Sequence, residues 1–361
     1  MLRIKRASNI LAITMVALIL LSCLPGNVSA QDALDPVVVV YDTSHGQKFD
    51  LEEELRSMRI LFNMVNTSTR YIVKVNSDPL TNETLSEADI LIIADPDDGR
   101  EFSINEINAL THMLANGSSM LLLGGPNIDQ NSTYWADSTM QTMGENAALN
   151  TLLDALNITG PRFSVNETDD IWSDTMYDYT QALNDSYPWM IRMDSSTWDT
   201  THPIFNNINE LLVMTATLKP IDLVSSIATG HETSFAQYRR GFFSMGNYSF
   251  PNMSLDEFAA KPLSYSAIND TFPSWLSAFQ FNQSRIVIGG STIMFSGYTI
   301  DLPETEERWF YQADNARLFM NILDWLSEKF VEAPGAIEPM LLISASFLVV
   351  GAAYYLLKKI R

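Results

Sequence analysis

Asp42, Ser44, His45 and Gln47 crowd into six consecutive positions of this 361-residue sequence. An aspartate that orients a histidine ring is the arrangement of a general base, and the serine and glutamine add hydrogen-bonding capacity for a ligand. The same four residues also suit a polar loop that bonds its own backbone, so binding, catalysis and that structural role stay open. Asp95, Asp97 and Asp98 form a second polar group. Alternating carboxylates can hold a hard cation, but the spacing matches no EF-hand and a solvated turn is the simpler reading, so no metal is assigned. Gly124-Gly125 and Gly289-Gly290 would let a ligand or anion approach the backbone, or would mark tight turns. Neither pair belongs to a dinucleotide or P-loop fingerprint, and no cofactor is expected. His112, His202 and His231 complete the histidines, and no two of the four are spaced i, i+4 as a zincin requires.

The elements that position these residues read as alternating strands and helices. Val37–Asp42 is a continuous β-branched run fit for a strand buried on both faces. Asp50 with Glu53 forms a capping box for a helix reaching about Asn66, with an apolar stripe through Leu51, Leu55, Met58, Leu61, Phe62 and Val65. Strands follow at 71–76, 90–94 and 120–123, and Ser103 with Glu106 caps a helix that runs to about Leu114. A helix at 147–156 continues the pattern. Such alternation predicts an α/β fold, a doubly wound, mainly parallel sheet with helices on both faces. Ligands then bind at the carboxyl ends of the strands, where Asp42 and the glycine pairs stand. Residues 160–205 read as an irregular insertion or lid. Its Trp172, Tyr177, Tyr179, Tyr187, Trp189 and Trp198 either stack a sugar or partner, or simply pack locally. Strands are expected at 211–216, 223–228, 262–267 and 285–290, and an amphipathic helix at 313–329.

The two ends differ from the middle. Residues 1–30 read as an export signal, with Arg3, Lys5 and Arg6 before an apolar stretch and Val28-Ser29-Ala30 at the cleavage point. Cys23 within Leu20-Leu21-Ser22-Cys23 offers a lipidation alternative, and an uncleaved anchor is a third. Residues 339–357 carry no charge over a length that crosses a bilayer, and Lys358, Lys359 and Arg361 follow. The positive tail predicts a single-pass protein with its C-terminus cytoplasmic and residues 31–338 outside, residues 330–338 serving as a short stalk. The chain has 22 basic and 43 acidic residues; six of the basic residues and none of the acids lie in the ends, so 31–338 carries −27. That charge disfavours nucleic acid as a partner. The single cysteine rules out a disulfide framework.

Eleven Asn-x-Ser/Thr sequons fall in 31–338, at Asn66, Asn82, Asn116, Asn131, Asn157, Asn166, Asn184, Asn247, Asn252, Asn269 and Asn282. About four would arise by chance from the Asn, Ser and Thr content, so an N-glycosylated surface is expected. Asn66, Asn82, Asn116 and Asn282 all precede expected strands. They should mark the amino-end face and leave the carboxyl-end face free for a partner.

Several segments taken in order resemble the class I glutamine-amidotransferase-like superfamily. They are Asp42-Thr43-Ser44-His45-Gly46-Gln47, residues 85–96, 120–125, Thr201-His202-Pro203-Ile204, 285–291 and 314–326. The likeness is to its non-enzymatic branch, which holds GldG-like auxiliary proteins of ABC-type transporters and the GIFT domain of intraflagellar-transport proteins. Enzymes of that superfamily carry a nucleophilic Cys on a strand-to-helix elbow; the matching position here is Leu123-Gly124-Gly125-Pro126, without Cys or Ser. The resemblance therefore implies the scaffold without the glutaminase. It points to a binding or scaffold domain, an accessory subunit of a transporter or envelope complex. A surface hydrolase using His45 and Asp42, and a structural or adhesion glycoprotein, are the alternatives.

Overall fold

The computed structural model describes residues 36–49, 51, 56–128, 131–165, 172–219, 225–237 and 273–328. Outside them lie the expected export signal with Cys23, the stalk, span and tail, the Asp50/Glu53 capping box, the candidate strand at 262–267, and Asn166, Asn247, Asn252 and Asn269. Among the described residues no helix is long and apolar enough to cross a membrane.

The expected strands of the first half form where the apolar runs place them: β1 (Val37–Asp42), β2 (Tyr71–Asn76), β3 (Ile90–Ala94) and β4 (Ser119–Leu123). They pair in parallel in the order β2-β1-β3-β4. Every residue of β3 and β4 is buried, which is why these runs show no polar alternation. Helix α1 spans Arg59–Thr67. Helix α2, Ile104–Ala115, begins at the expected box: the Ser103 hydroxyl accepts from the Glu106 N–H, and the Glu106 carboxylate accepts from the Ser103 N–H at 2.8 Å. Ser103→Ala is expected to lower stability by about 1 kcal/mol, read as a melting temperature about 2–4 °C lower.

Helix α3 (Ala147–Ala155) leads into the less regular half, made of β5 (Arg162–Phe163), β6 (Thr175–Tyr177), β7 (Ile191–Asp194), β8 (Glu210–Val213), β9 (Leu218–Lys219), β10 (Ser226–Thr229), β11 (Phe235–Gln237), β12 (Ser274–Phe281) and β13 (Ser284–Gly289), and ends in helix α4 (Asn315–Ser327). Strand β13 lies parallel to β4, but β12 runs antiparallel to β13, and β9, β10 and β5 add further antiparallel pairs. The nine-stranded sheet is thus mixed, and the expectation of a mainly parallel sheet holds only for its first half. The reason is local. Asn282-Gln283 joins β12 to β13, with Asn282 in the left-handed region at φ 55°, and a two-residue connection can join only antiparallel neighbours.

Helices α1 and α4 cover one face of the sheet through Leu61, Phe62, Val65, Leu318, Ile322 and Leu326. Helices α2 and α3 cover the other through Leu110, Met113, Leu149 and Leu152. The 160–205 segment is not a detached lid. Its short strands β6 and β7 pair with β11 and β8, and Trp172, Tyr177, Trp189 and Trp198 are buried. Those rings serve packing rather than an open stacking platform.

Candidate functional site

The parallel strands deliver their carboxyl ends to one edge of the sheet, where Asp42 closes β1, Asp95 follows β3, Gly124-Gly125 follows β4, Gly289 closes β13 and Gly290 follows it. Asp42, Ser44, His45 and Gln47 do come together. The Asp42 carboxylate accepts from the Ser44 hydroxyl at 2.7 Å and from the Gln47 amide at 2.8 Å, and its Oδ2 lies 2.7 Å from His45 Nδ1. On the other side of the ring, His45 Nε2 lies 3.4 Å from Glu106 Oε1. The ring stacks on Phe102 with centroids 3.9 Å apart and is only 4% exposed. Both imidazole nitrogens therefore face carboxylates, and the histidine ties the end of β1 to the start of α2. Glu106 is already engaged by the Ser103 and Leu80 N–H groups. Burial pushes its carboxyl up, but these bonds and His45 hold it below the usual carboxylate range.

Asp95 is the group at this edge with the least compensation. It is fully buried, neither carboxylate oxygen has a hydrogen-bond partner, and its backbone sits in the left-handed region at φ 48°. Burial raises its pKa to about 7; nearby Lys48 opposes the rise and Glu145 reinforces it. Lys48 and Glu145 form a buried ion pair of 3.1 Å, and burial also raises the Glu145 carboxyl. The Gly144 amide leans toward Asp95 and weighs slightly against its rise, without hydrogen-bond geometry. Asn127, also fully buried, leaves both side-chain polar atoms unpartnered. Asp97 turns away to accept from the Gly99 N–H, so the three aspartates do not converge. Among the described residues no group of His, Cys, Asp and Glu side chains is arranged to hold a metal ion.

At the glycine pairs the available room is taken by protein. A Cβ built on Gly124 would stand 2.5 Å from Phe163 Cε1 and 2.6 Å from Asn146 Oδ1, and one on Gly125 would meet Met143 at 2.6 Å. Asn146 fixes this turn by accepting from the Gly125 N–H and donating to the Gly125 carbonyl. Gly124→Ala is expected to lower stability by about 1–3 kcal/mol in urea unfolding, because Phe163 is buried and has nowhere to move. Two open clefts lie elsewhere. One of about 430 Å³ is lined by Gln181, Thr229, His231 and Glu232, and one of about 490 Å³ by Thr133, Tyr134, Asp137 and Tyr298. Neither is lined by Asp42, His45 or a glycine pair. His202 caps the short turn Pro203–Phe205, as its place before proline suggests.

Lys48, Glu145, Asn127 and Asn146 were not singled out by sequence. Lys48 and Glu145 are 97 positions apart and belong to no motif, so only the folded sheet brings them together. Glu106 was visible as a cap residue but not as a partner of His45.

No family model and no curated protein matches the sequence. Among solved structures, the mmIFT52 N-terminal domain matches with a TM-score of 0.51 and 13% identity, over 82% of this chain and 100% of that chain. A ThuA-like protein from Bacteroides uniformis matches with a TM-score of 0.37 and 10% identity, over 81% of this chain and 92% of its own. A cytoplasmic protein from Salmonella typhimurium matches with a TM-score of 0.39 and 9% identity, over 80% and 98%. The first likeness shows a shared fold, of the amidotransferase-like type.

Proposed function

We propose that this chain is a membrane-anchored, extracytoplasmic binding or scaffold domain that performs no chemistry of its own. It serves as an accessory subunit of an ABC-type transporter or envelope complex, as the GldG-like proteins it resembles do. The observation that carries this reading is the packing at Gly124: the elbow on which an amidotransferase-like enzyme displays its nucleophile is occupied by Phe163 and Asn146, so a side chain placed there would clash with both rather than stand open to a substrate. The span and tail of the sequence supply the anchor, placing the domain at the outer face of the cell membrane.

The surface at the carboxyl edge is the part left to a partner. The loops after β3 and β13 present Asp98, Glu101, Glu304, Glu306 and Glu307, all partly or fully exposed, so the complementary surface is basic. A hydrolase built on His45 and Asp42 would require Nε2 open to a substrate, and Nε2 instead faces the Glu106 carboxylate at 3.4 Å, on a histidine that is only 4% exposed. The test is affinity purification of the tagged full chain from native membranes in mild detergent. Permease and ATPase subunits should accompany it. Recovery of the chain alone, or as a homopolymer of the kind an adhesion protein forms, would overturn the reading.

A further inference from the structure

Strand β2 ends the nine-stranded sheet, so among the described residues no strand lies along one side of its backbone. In a parallel pair alternate residues of an edge strand direct both N–H and C=O away from the neighbour. Val73 is one of these, and its N–H is taken by Asn66 Oδ1 at 2.8 Å. Ile72 and Val75 on the same strand are 42% and 50% exposed. An uncovered edge of this kind is a template for pairing with a second chain.

Asn66 opens the sequon Asn66-Thr67-Ser68. It sits exposed at the end of α1, and the hydrogen bond to Val73 fixes its amide over the edge. Among the described residues only the oxygen is engaged; Nδ2, the atom that would carry a sugar, makes no hydrogen bond to them. Its setting is shared. Asn66, Asn116 and Asn282 lead directly into β2, β4 and β13, which run parallel, so these three lie at the amino edge, opposite His45 and Gly124. Asn82 departs from the expectation: Leu80, two residues before it, donates its N–H to the Glu106 oxygen that faces His45, which puts this sequon on the carboxyl-edge side. All four and Asn131, Asn157 and Asn184 are exposed.

We propose that Asn66 carries an N-linked glycan that covers the free edge of the sheet at β2, keeping the chain from pairing with a second copy of itself. The proposal rests on the outward orientation read from the sequence. In the modification, Nδ2 of Asn66 bonds to the anomeric carbon of a lipid-phosphate-linked oligosaccharide. The bond from that carbon to the phosphate oxygen breaks, the lipid phosphate leaves with the electron pair, and one amide proton passes to solvent. The glycan then projects from a point pinned to Val73, while the Oδ1 bond keeps that edge N–H satisfied.

The experiment uses the full chain purified from native membranes. Trypsin releases residues 60–70, which contain this sequon and no other, and mass spectrometry should find that peptide bearing a sugar. If the other sequon peptides are modified and this one is not, the Asn66 assignment fails by itself. If none is modified, the outward orientation fails with it. Ser68→Ala abolishes the sequon yet leaves the Asn66–Val73 bond in place, whereas Ser68→Thr preserves both. By light scattering, Ser68→Thr should match the parent and Ser68→Ala should shift to dimers or larger species. Adding Val75→Lys to Ser68→Ala should restore the parental state, which places the association at β2. A Ser68→Ala chain that keeps the parental mass contradicts the covering role.

Discussion

Gly290→Ala is expected to lower stability by more than about 3 kcal/mol and the melting temperature by roughly 6–12 °C. Gly290 follows β13 and is fixed on two sides: its N–H donates to the Trp275 carbonyl and its carbonyl accepts from the Ala216 N–H, both at 2.9 Å. A Cβ there would lie 2.1 Å from the Ala216 carbonyl oxygen and 2.5 Å from Thr215 Oγ1. The obstacle is backbone, so no rotamer change relieves it, and the sheet must part between β13 and the segment before β9. Against a total stability of about 5–15 kcal/mol such a loss unfolds a large share of the molecules at growth temperature. Gly289→Ala is the control. Its Cβ would meet only the ends of Leu123 and Leu276, at 3.1 and 3.2 Å, and a change under about 1 kcal/mol is expected. Thermal unfolding followed by circular dichroism compares the two; equal effects would contradict the packing described at this strand end.

The second large effect is a pH dependence centred on Asp95. Its carboxyl is held at about 7 in the folded protein, against an ordinary value near 3.8. Below the ordinary value both folded and unfolded chains are protonated, and the group makes no demand. Between that value and about 7 the unfolded chain gives up its proton while the folded chain keeps it, so stability falls as pH rises and then levels off. The loss is on the order of 4 kcal/mol, since each pH unit of separation is worth about 1.4 kcal/mol. Asp95→Asn removes the charge and keeps the shape, and asparagine accepts the left-handed backbone at φ 48° at least as readily. Urea unfolding should show the variant more stable than the parent by about 1–2 kcal/mol at pH 5 and by about 4 kcal/mol at pH 8. A parent as stable at pH 8 as at pH 5, with no gain from the variant, would contradict the buried, uncompensated carboxylate.

Local signals carried the first half of the fold. The unbroken run Val37–Asp42 and the Ser103/Glu106 box each reflect interactions within a few residues, and each forms where the sequence puts it. Strand β12 escaped because Ser274, Ser277 and Gln280 interrupt its apolar run, although the first two are buried in the sheet. Its antiparallel direction is set by the two residues Asn282-Gln283, a turn signal that was legible but read only as a sequon. At the candidate site, Asp42, Ser44, His45 and Gln47 were legible because they are neighbours in the chain. Their consequence was not: the carboxylate of Glu106 closes the second side of His45 from 61 positions away, and Phe163 fills the elbow at Gly124 from the far side of α3. Long-range closure of this kind decides whether a polar cluster is an open site or an internal clamp.

On the proposed reading, the domain binds its partner through its acidic carboxyl edge. The measurement that tests it most directly is co-purification from native membranes by the parent chain and by two surface variants. Charge reversal at the carboxyl edge, Glu101→Lys with Glu306→Lys, should reduce the recovered permease at least tenfold. Asn116→Gln at the amino edge should leave recovery unchanged. Equal recovery with all three chains, or no permease with the parent, would contradict the account.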